Sequence, residues 1–236
     1  MINNIVSNLK QFFLKSGKQK AVLGLSGGID SALTAKIAVM ALGAENVTAL
    51  ILPNNNLNQS EEVTDALNFA KDLGIKFEVI AIDEFVSKFS ELPWEASKIA
   101  NMNIQSRARA CILYHYANSH DALVLGTSNK TELALGYFTK FGDGACDCEV
   151  IGSLYKTEVW ESAKELGLPE KIISKSPSAQ LADGQTDEAE IGVSYAEIDE
   201  ILKKFEQGKE PETNNEKLIW NRINANKHKG EVPPTI

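Results

Sequence analysis

The 236-residue chain is short of cysteine, short of positive charge and free of long apolar runs, and each shortage closes off a class of protein. Its three cysteines, Cys111, Cys146 and Cys148, are an odd number and do not make the disulfide framework of a small secreted domain. Cys146 and Cys148 stand one residue apart without the second ligand pair that a structural zinc needs. Cys111 lies in a helical pattern and is expected to be a buried filler. Lysine and arginine number 24 against 32 acidic residues, a formal net charge of -8, which argues against a general binder of nucleic acid or of anionic membrane. No window reaches the apolar length of a membrane span, and Asn3, Asn4, Asn8 and Lys10 interrupt the N-terminus where a secretory core would lie. A cytoplasmic protein is expected, with neither membrane nor nucleic acid as partner. Repeats and low-complexity tracts are also absent, and 43% hydrophobic content over this length suits one compact α/β unit with a sizeable core.

What is present is an alternation. Apolar runs at residues 21–25, 47–52, 77–82 and 122–126 take turns with helical patterns near 32–42, 61–73 and 99–117. Such alternation predicts βαβ units and a doubly wound parallel sheet, with ligands outside the carboxyl ends of the strands near the point where strand order reverses. The first run leads into Ser26-Gly27-Gly28-Ile29-Asp30-Ser31 and then directly into a helical pattern. Paired glycines let backbone approach a ligand closely, and a helix start offers unpaired N–H groups and a positive dipole end, so this turn suits a phosphate. The hydroxyls of Ser26 and Ser31 add donors. Asp30 would repel a bare phosphate, and its presence is explained by a divalent cation between carboxylate and phosphate oxygens. Two glycines alone would favour a helix-capping turn; the serines, the aspartate and the preceding strand reverse this in favour of the nucleotide.

The segment Gly126-Thr127-Ser128-Asn129-Lys130-Thr131-Glu132 reads the same way, strand, turn and helix start. A glutamate in a first helical turn is ordinarily a capping residue. Placed at a strand end beside that of Asp30, Glu132 becomes a candidate partner in holding Mg²⁺, with ATP phosphates and water completing an octahedral shell.

The glycine turn lacks the Gly-Lys-Ser/Thr of the Walker loop and the G-x-G-x-x-G of dinucleotide folds. It resembles the SGGxDS loop of the PP-loop ATP pyrophosphatases, which split ATP into AMP and pyrophosphate. Other segments narrow the resemblance: residues 126–132 followed by Gly136-Tyr137-Phe138-Thr139-Lys140-Phe141-Gly142-Asp143-Gly144, the stretch Asn103-Ile104-Gln105-Ser106-Arg107-Ala108-Arg109, the stretch Lys175-Ser176-Pro177-Ser178-Ala179-Gln180-Leu181, and His228-Lys229. In this order they resemble the NAD synthetases, from about residue 21 to 201 and again in the tail.

The resemblance implies a five-stranded parallel sheet flanked by helices, with a nucleotide-binding core over about 18–170 and C-terminal helices and tail over 194–236, all in one domain. It implies adenylation of the nicotinate carboxylate of deamido-NAD by ATP, then displacement of AMP by ammonia. By position, Gly24, Leu25, Ser26, Gly27, Gly28, Ile29, Asp30 and Ser31 would wrap the triphosphate, and Thr127, Lys156 and Ser178 would touch ATP. Asp30 and Glu132 would hold Mg²⁺, and Asp30, Glu132 and Lys156 would act in catalysis. Ser178 stands where the family shows threonine and keeps the hydroxyl. Arg107, Lys140, Asp147, His228 and Lys229 would hold deamido-NAD. Arg107 and Arg109 lie two apart on a helix and do not share a face, so one of them is expected to be an ordinary surface or ion-pair residue. Lysines such as Lys140 and Lys156 are usually solvated, and the polar tail carrying His228 and Lys229 would be frayed on composition alone.

Residues 174–190, rich in serine, aspartate and glycine, read as a mobile lid that would shield an acyl adenylate from water, or else as a linker before a helix near 194–205. The length leaves no room for a glutaminase domain beside the core, so free ammonia or a separate glutaminase subunit is the implied donor, with free ammonia favoured. The resemblance further implies a homodimer with the dinucleotide site at the interface, to which the helical pattern of 99–117 could contribute. Two other readings stay open: another PP-loop adenylating enzyme, such as a GMP synthetase or a tRNA-thiolating protein, and an ATP-sensing module without turnover. The acidic balance and the lack of paired C-x-x-C motifs disfavour the tRNA class, and Asp30 with Glu132 disfavours the sensor.

Overall fold

The computed structural model describes residues 1–54, 60–177 and 186–235. The chain begins with helix α1 (Ile2–Ser16), then strand β1 (Lys20–Gly24), helix α2 (Ile29–Leu42), β2 (Val47–Ile51), α3 (Ser60–Asp72) and β3 (Lys76–Val79). It continues through α4 (Asp83–Ser87), α5 (Lys98–His120), β4 (Ala122–Gly126), α6 (Lys130–Leu135), β5 (Cys148–Glu149) and α7 (Lys156–Glu165). Helices α8 (Glu170–Ile173), α9 (Asp187–Ile191), α10 (Tyr195–Glu206) and α11 (Asn214–Asn226) follow.

The five strands form one sheet in the order β3-β2-β1-β4-β5, every pair parallel. Consecutive buried residues in β1, Ala21, Val22 and Leu23, are what a strand covered on both faces requires. One face packs on α1, α2, α3 and α7 through residues such as Phe13, Leu33, Phe69 and Val159, and the other on α5 through residues such as Val22, Leu50, Ala117 and Val124. A third cluster, including Leu135, Ile191, Tyr195, Ile198 and Ile219, packs α6, α9, α10 and α11 together beside the sheet.

The third strand ends at Val79, earlier than the apolar run that reaches Ile82. Ile80 and Ile82 still donate to the carbonyls of Ile51 and Pro53 at 2.9 Å, but Pro53 has no N–H to return and the ladder becomes one-sided. Cys111 is exposed, contrary to the expectation of a buried filler. Helix α5 turns Gln105, Ser106, Ala110 and Ala117 inward, and the residue after Ala110 is rotated about 100° from that line. Among the described residues no helix is long and apolar enough to cross a membrane.

Strand order reverses at β1: the chain builds outward through β2 and β3, then returns along α5 to place β4 on the other side of β1. A crevice therefore opens between the carboxyl ends of β1 and β4.

Candidate active site

A cleft of about 270 Å³ occupies that crevice. Gly24, Leu25, Ser26, Gly28, Ile29, Asp30 and Ser31 line it from the β1–α2 side, and Thr127, Glu132 and Lys156 from the β4 side. The turn after β1 is held by its own hydroxyls: Ser31 Oγ donates to Gly28 O at 3.0 Å and accepts from Ser26 N at 3.2 Å, and Ser26 Oγ accepts from Gly28 N at 3.2 Å. The serines therefore shape the loop as well as bordering the cleft. Gly27 does not line the cleft; its φ of +82° turns it toward α3, where a Cβ would lie 2.6 Å from Glu62 O.

Of the helices that begin at this end of the sheet, the two on the β4 side, α6 and α7, are closed by the protein itself. On α6, Asn129 Oδ1 accepts from Glu132 N at 3.0 Å while Glu132 Oε2 accepts from Asn129 N at 3.2 Å, a reciprocal capping box. On α7, Lys156 N donates to Thr131 Oγ1 at 3.0 Å and Thr157 N to Asp199 Oδ2 at 2.9 Å. Helix α2 has no side-chain cap. Its positive end borders the cleft and suits an anion.

Beside it, Lys156 is buried with 1% of its side chain exposed, its Nζ 2.5 Å from Asp30 Oδ2 and 3.6 Å from Glu132 Oε1. Asn129 Nδ2 donates to the other oxygen of Asp30 at 2.9 Å. The Lys156 ammonium also lies over the ring of Tyr195, 5.2 Å from its centroid. Burial works against the charge on Lys156, but Asp30 and Glu132 outweigh it and hold the ammonium above its ordinary range. The Glu132 carboxyl is pushed well up, first by burial and then by Asp30, with Lys156 opposing. Asp187 is raised too, chiefly by burial, although Tyr195 and Tyr137 donate to its two oxygens at 2.9 and 3.2 Å. Carboxyl groups thus outnumber the one ammonium here, and burial with mutual repulsion favours protons on Glu132 and Asp187.

The residues expected to hold deamido-NAD divide. Arg107 donates to Lys140 O at 3.3 Å, Lys140 Nζ donates to His228 O and to Glu231 O, and Lys229 Nζ donates to Gly136 O at 2.8 Å and Phe138 O at 3.1 Å. These four gather where the tail docks on the loop after α6, a loop that reaches the cleft through Tyr137 and Gly142. The tail is ordered there by a short 3-10 turn at Lys227–Lys229. Asp147 is apart from them: its Oδ2 accepts from Val124 N at 2.8 Å beside β4. Ser178 lies outside the described residues, as do 178–185 of the expected lid. The base of that segment is described: Asp187 N donates to Pro177 O at 3.1 Å, and both residues line the cleft. From Asp187 onward the segment is helical, not loop.

Sequence reasoning gave no site role to Tyr137, Arg109, Lys175 and Asp187, all of which line the cleft. Arg109 Nε donates to Leu52 O at 2.9 Å, and burial lowers its guanidinium to about 10 against the pull of Asp143. Lys175 Nζ lies 3.0 Å from Glu62 Oε1 across the cleft wall. Tyr137, Arg109 and Lys175 stand inside the segments that carry the family resemblance, so a signal existed for them; Asp187, beyond those segments, offered none.

The model of the NAD synthase family matches residues 1–233. The NH(3)-dependent NAD(+) synthetase of Archaeoglobus fulgidus is 46% identical over 234 residues, 99% of this chain and 95% of that protein. Among solved structures, an NMN synthetase from Francisella tularensis matches with a TM-score of 0.91 at 38% identity, covering 100% of this chain and 96% of that one. An NH3-dependent NAD synthetase from Campylobacter jejuni matches with a TM-score of 0.86 at 34% identity, with the same two coverages of 100% and 96%. With its five parallel strands, its strand-order reversal and a match that runs nearly end to end, this chain belongs to the NAD synthase family.

Proposed function

We propose that the chain is a cytoplasmic ligase that amidates deamido-NAD with ammonia at the expense of ATP, giving NAD, AMP and pyrophosphate through an acyl adenylate. The observation that carries the proposal is the start of α2, without a side-chain cap, whose own Asp30 is bonded to Lys156 beside Glu132 in the wall of one cleft. A carboxylate is a poor acyl donor because amide formation would expel an oxide. Attack of a nicotinate oxygen on the α-phosphorus forms the mixed anhydride and breaks the bond to pyrophosphate; ammonia then attacks the acyl carbon and AMP leaves. The loop amides and the α2 dipole favour the outer phosphates, and Lys156 supplies a fixed positive charge beside them.

Asp30 and Glu132 fit a role in holding Mg²⁺. Their oxygen donors suit a hard cation, Lys156 leaves the carboxylates of the cleft under-neutralised, and two carboxylates need phosphate oxygens to complete a shell. Bound there, Mg²⁺ would neutralise charge on the departing pyrophosphate. Without it, Asp30 and Glu132 keep Lys156 charged and aimed into the cleft.

Thr127, already in the wall, and Ser178 complete the proposed ATP contacts, and Arg107, Lys140, Asp147, His228 and Lys229 those to deamido-NAD. The joined ends of residues 177 and 187 support a lid over the cleft. The exposed Phe85, Phe89, Trp94 and Ile99 near the start of α5 support a homodimer built on that side. The family match disfavours the other PP-loop enzymes and the sensor. A second reading, amidation of the corresponding mononucleotide, is favoured by the TM-score of 0.91 to the NMN synthetase.

The test supplies ATP and Mg²⁺ with deamido-NAD or deamidated mononucleotide, and ammonium or glutamine. NAD and AMP in equal amounts from deamido-NAD and ammonium are expected, with little product from glutamine. Preference for the mononucleotide would establish the second reading, and no amide from either would overturn both.

A further inference from the structure

Beneath the cleft, one carboxylate joins the two helices that carry Glu132 and Lys156. Asp199, on α10, has no exposed surface. Its Oδ1 accepts the Thr131 hydroxyl proton at 2.5 Å and its Oδ2 accepts Thr157 N–H at 2.9 Å. Thr131 Oγ1 in turn accepts Lys156 N–H at 3.0 Å. Thr131 precedes Glu132 in the chain and Thr157 follows Lys156, so both reactive side chains stand one residue from a group in this chain of bonds. From α10 also comes Tyr195, under the Lys156 ammonium and bonded to Asp187.

We infer that Asp199 is a positioning residue, setting the spacing between Glu132 and Lys156 through the Thr131 hydroxyl and the Thr157 amide. A carboxylate with no exposure carries a desolvation cost, and apolar side chains would hold two helices together without it. What a carboxylate adds is direction: two acceptors at fixed separation, facing the positive ends of α6 and α7. The Lys156 ammonium must sit within hydrogen-bond reach of Asp30 while Glu132 stays close, and displacement of about 1 Å at such a site costs about a hundredfold in rate. The inference rests on the amidation reading above.

Asp199→Asn keeps the shape but presents an NH₂ to one of the two donors. Thr131→Val removes the hydroxyl, leaving Lys156 N–H and Asp199 Oδ1 unpaired, whereas Thr131→Ser keeps it. With folding checked by thermal melting, Asp199→Asn and Thr131→Val should each lower kcat at least tenfold and shift KM for ATP by a smaller factor, because the phosphate loop on α2 keeps its hold on ATP while Lys156 moves. Thr131→Ser should stay within threefold of wild type, and the double variant should be no slower than the poorer single, since both break one chain of bonds. Wild-type kcat in variants that only melt earlier would overturn the inference, as would an equal loss in Thr131→Ser. If Asp199→Asn fails to fold, the valine and serine variants decide. A wild type that forms no amide would overturn the reading under Proposed function instead; amide exchange at Lys156 and Thr157 would then test the hold, and equal exchange in wild type and Thr131→Val would overturn it.

Discussion

Lys156 is fixed by charge more than by apolar packing. Its ammonium is buried against Asp30 and Glu132, an arrangement in which losing one partner leaves an uncompensated charge. The same carboxylates that hold the lysine are those proposed to meet the metal, so charge and catalysis share one set of atoms. Asp30→Asn separates the roles. The amide preserves the bulk of Asp30, and Lys156 keeps Glu132. Turnover should fall about a hundredfold, corresponding to about 2.7 kcal/mol of transition-state stabilisation, with a smaller loss in ATP affinity. Steady-state kinetics beside calorimetric ATP binding would check this. Full activity would contradict the metal role, and equal loss of binding and turnover would contradict a role confined to the transition state.

At the scale of elements, the phosphate loop depends on one backbone conformation. Gly27 has φ +82°, and a Cβ there would stand 2.6 Å from the carbonyl of Glu62 at the start of α3. A left-handed conformation costs an L-residue about 1–2 kcal/mol before that clash with backbone is counted. Gly28, at φ -86°, would meet only Ser26 Oγ at 3.3 Å. Gly27→Ala should therefore raise KM for ATP at least tenfold and lower the melting temperature, while Gly28→Ala melts near wild type. Equal melting of the two variants would contradict the assigned strain. The glycine pair was legible because it follows an apolar run and opens a helix. Its division of labour was not: which glycine meets the ligand and which meets α3 depends on the placement of a helix more than thirty residues downstream.

Over the whole molecule, what could be read in advance were the features with local periodicity. The strands at 21–25 and 122–126, the helix at 32–42 and the reversal of strand order at β1 all follow from apolar spacing and right-handed crossovers. Cys111 was misplaced because the composition of a helix does not say which face meets the sheet, and α5 has apolar and polar residues on all sides. Asp187 and Asp199 were illegible for a different reason. Asp199 acts across sequence separations of 68 and 42 residues and Asp187 meets Tyr137 across 50, and a lone buried aspartate resembles a surface one in sequence. The C-terminal helices are thus more than an appendage: they carry the tail to the loop after α6 and the Asp199 carboxylate to α6 and α7.

In the proposed reaction a nicotinate oxygen joins the α-phosphorus of ATP as pyrophosphate leaves. Deamido-NAD labelled with ¹⁸O in its nicotinate carboxylate tests this directly when the AMP and the inorganic phosphates are analysed by mass spectrometry after one turnover with ammonium. One labelled oxygen in AMP, with none in pyrophosphate, is the predicted result; label in orthophosphate accompanied by ADP would contradict it.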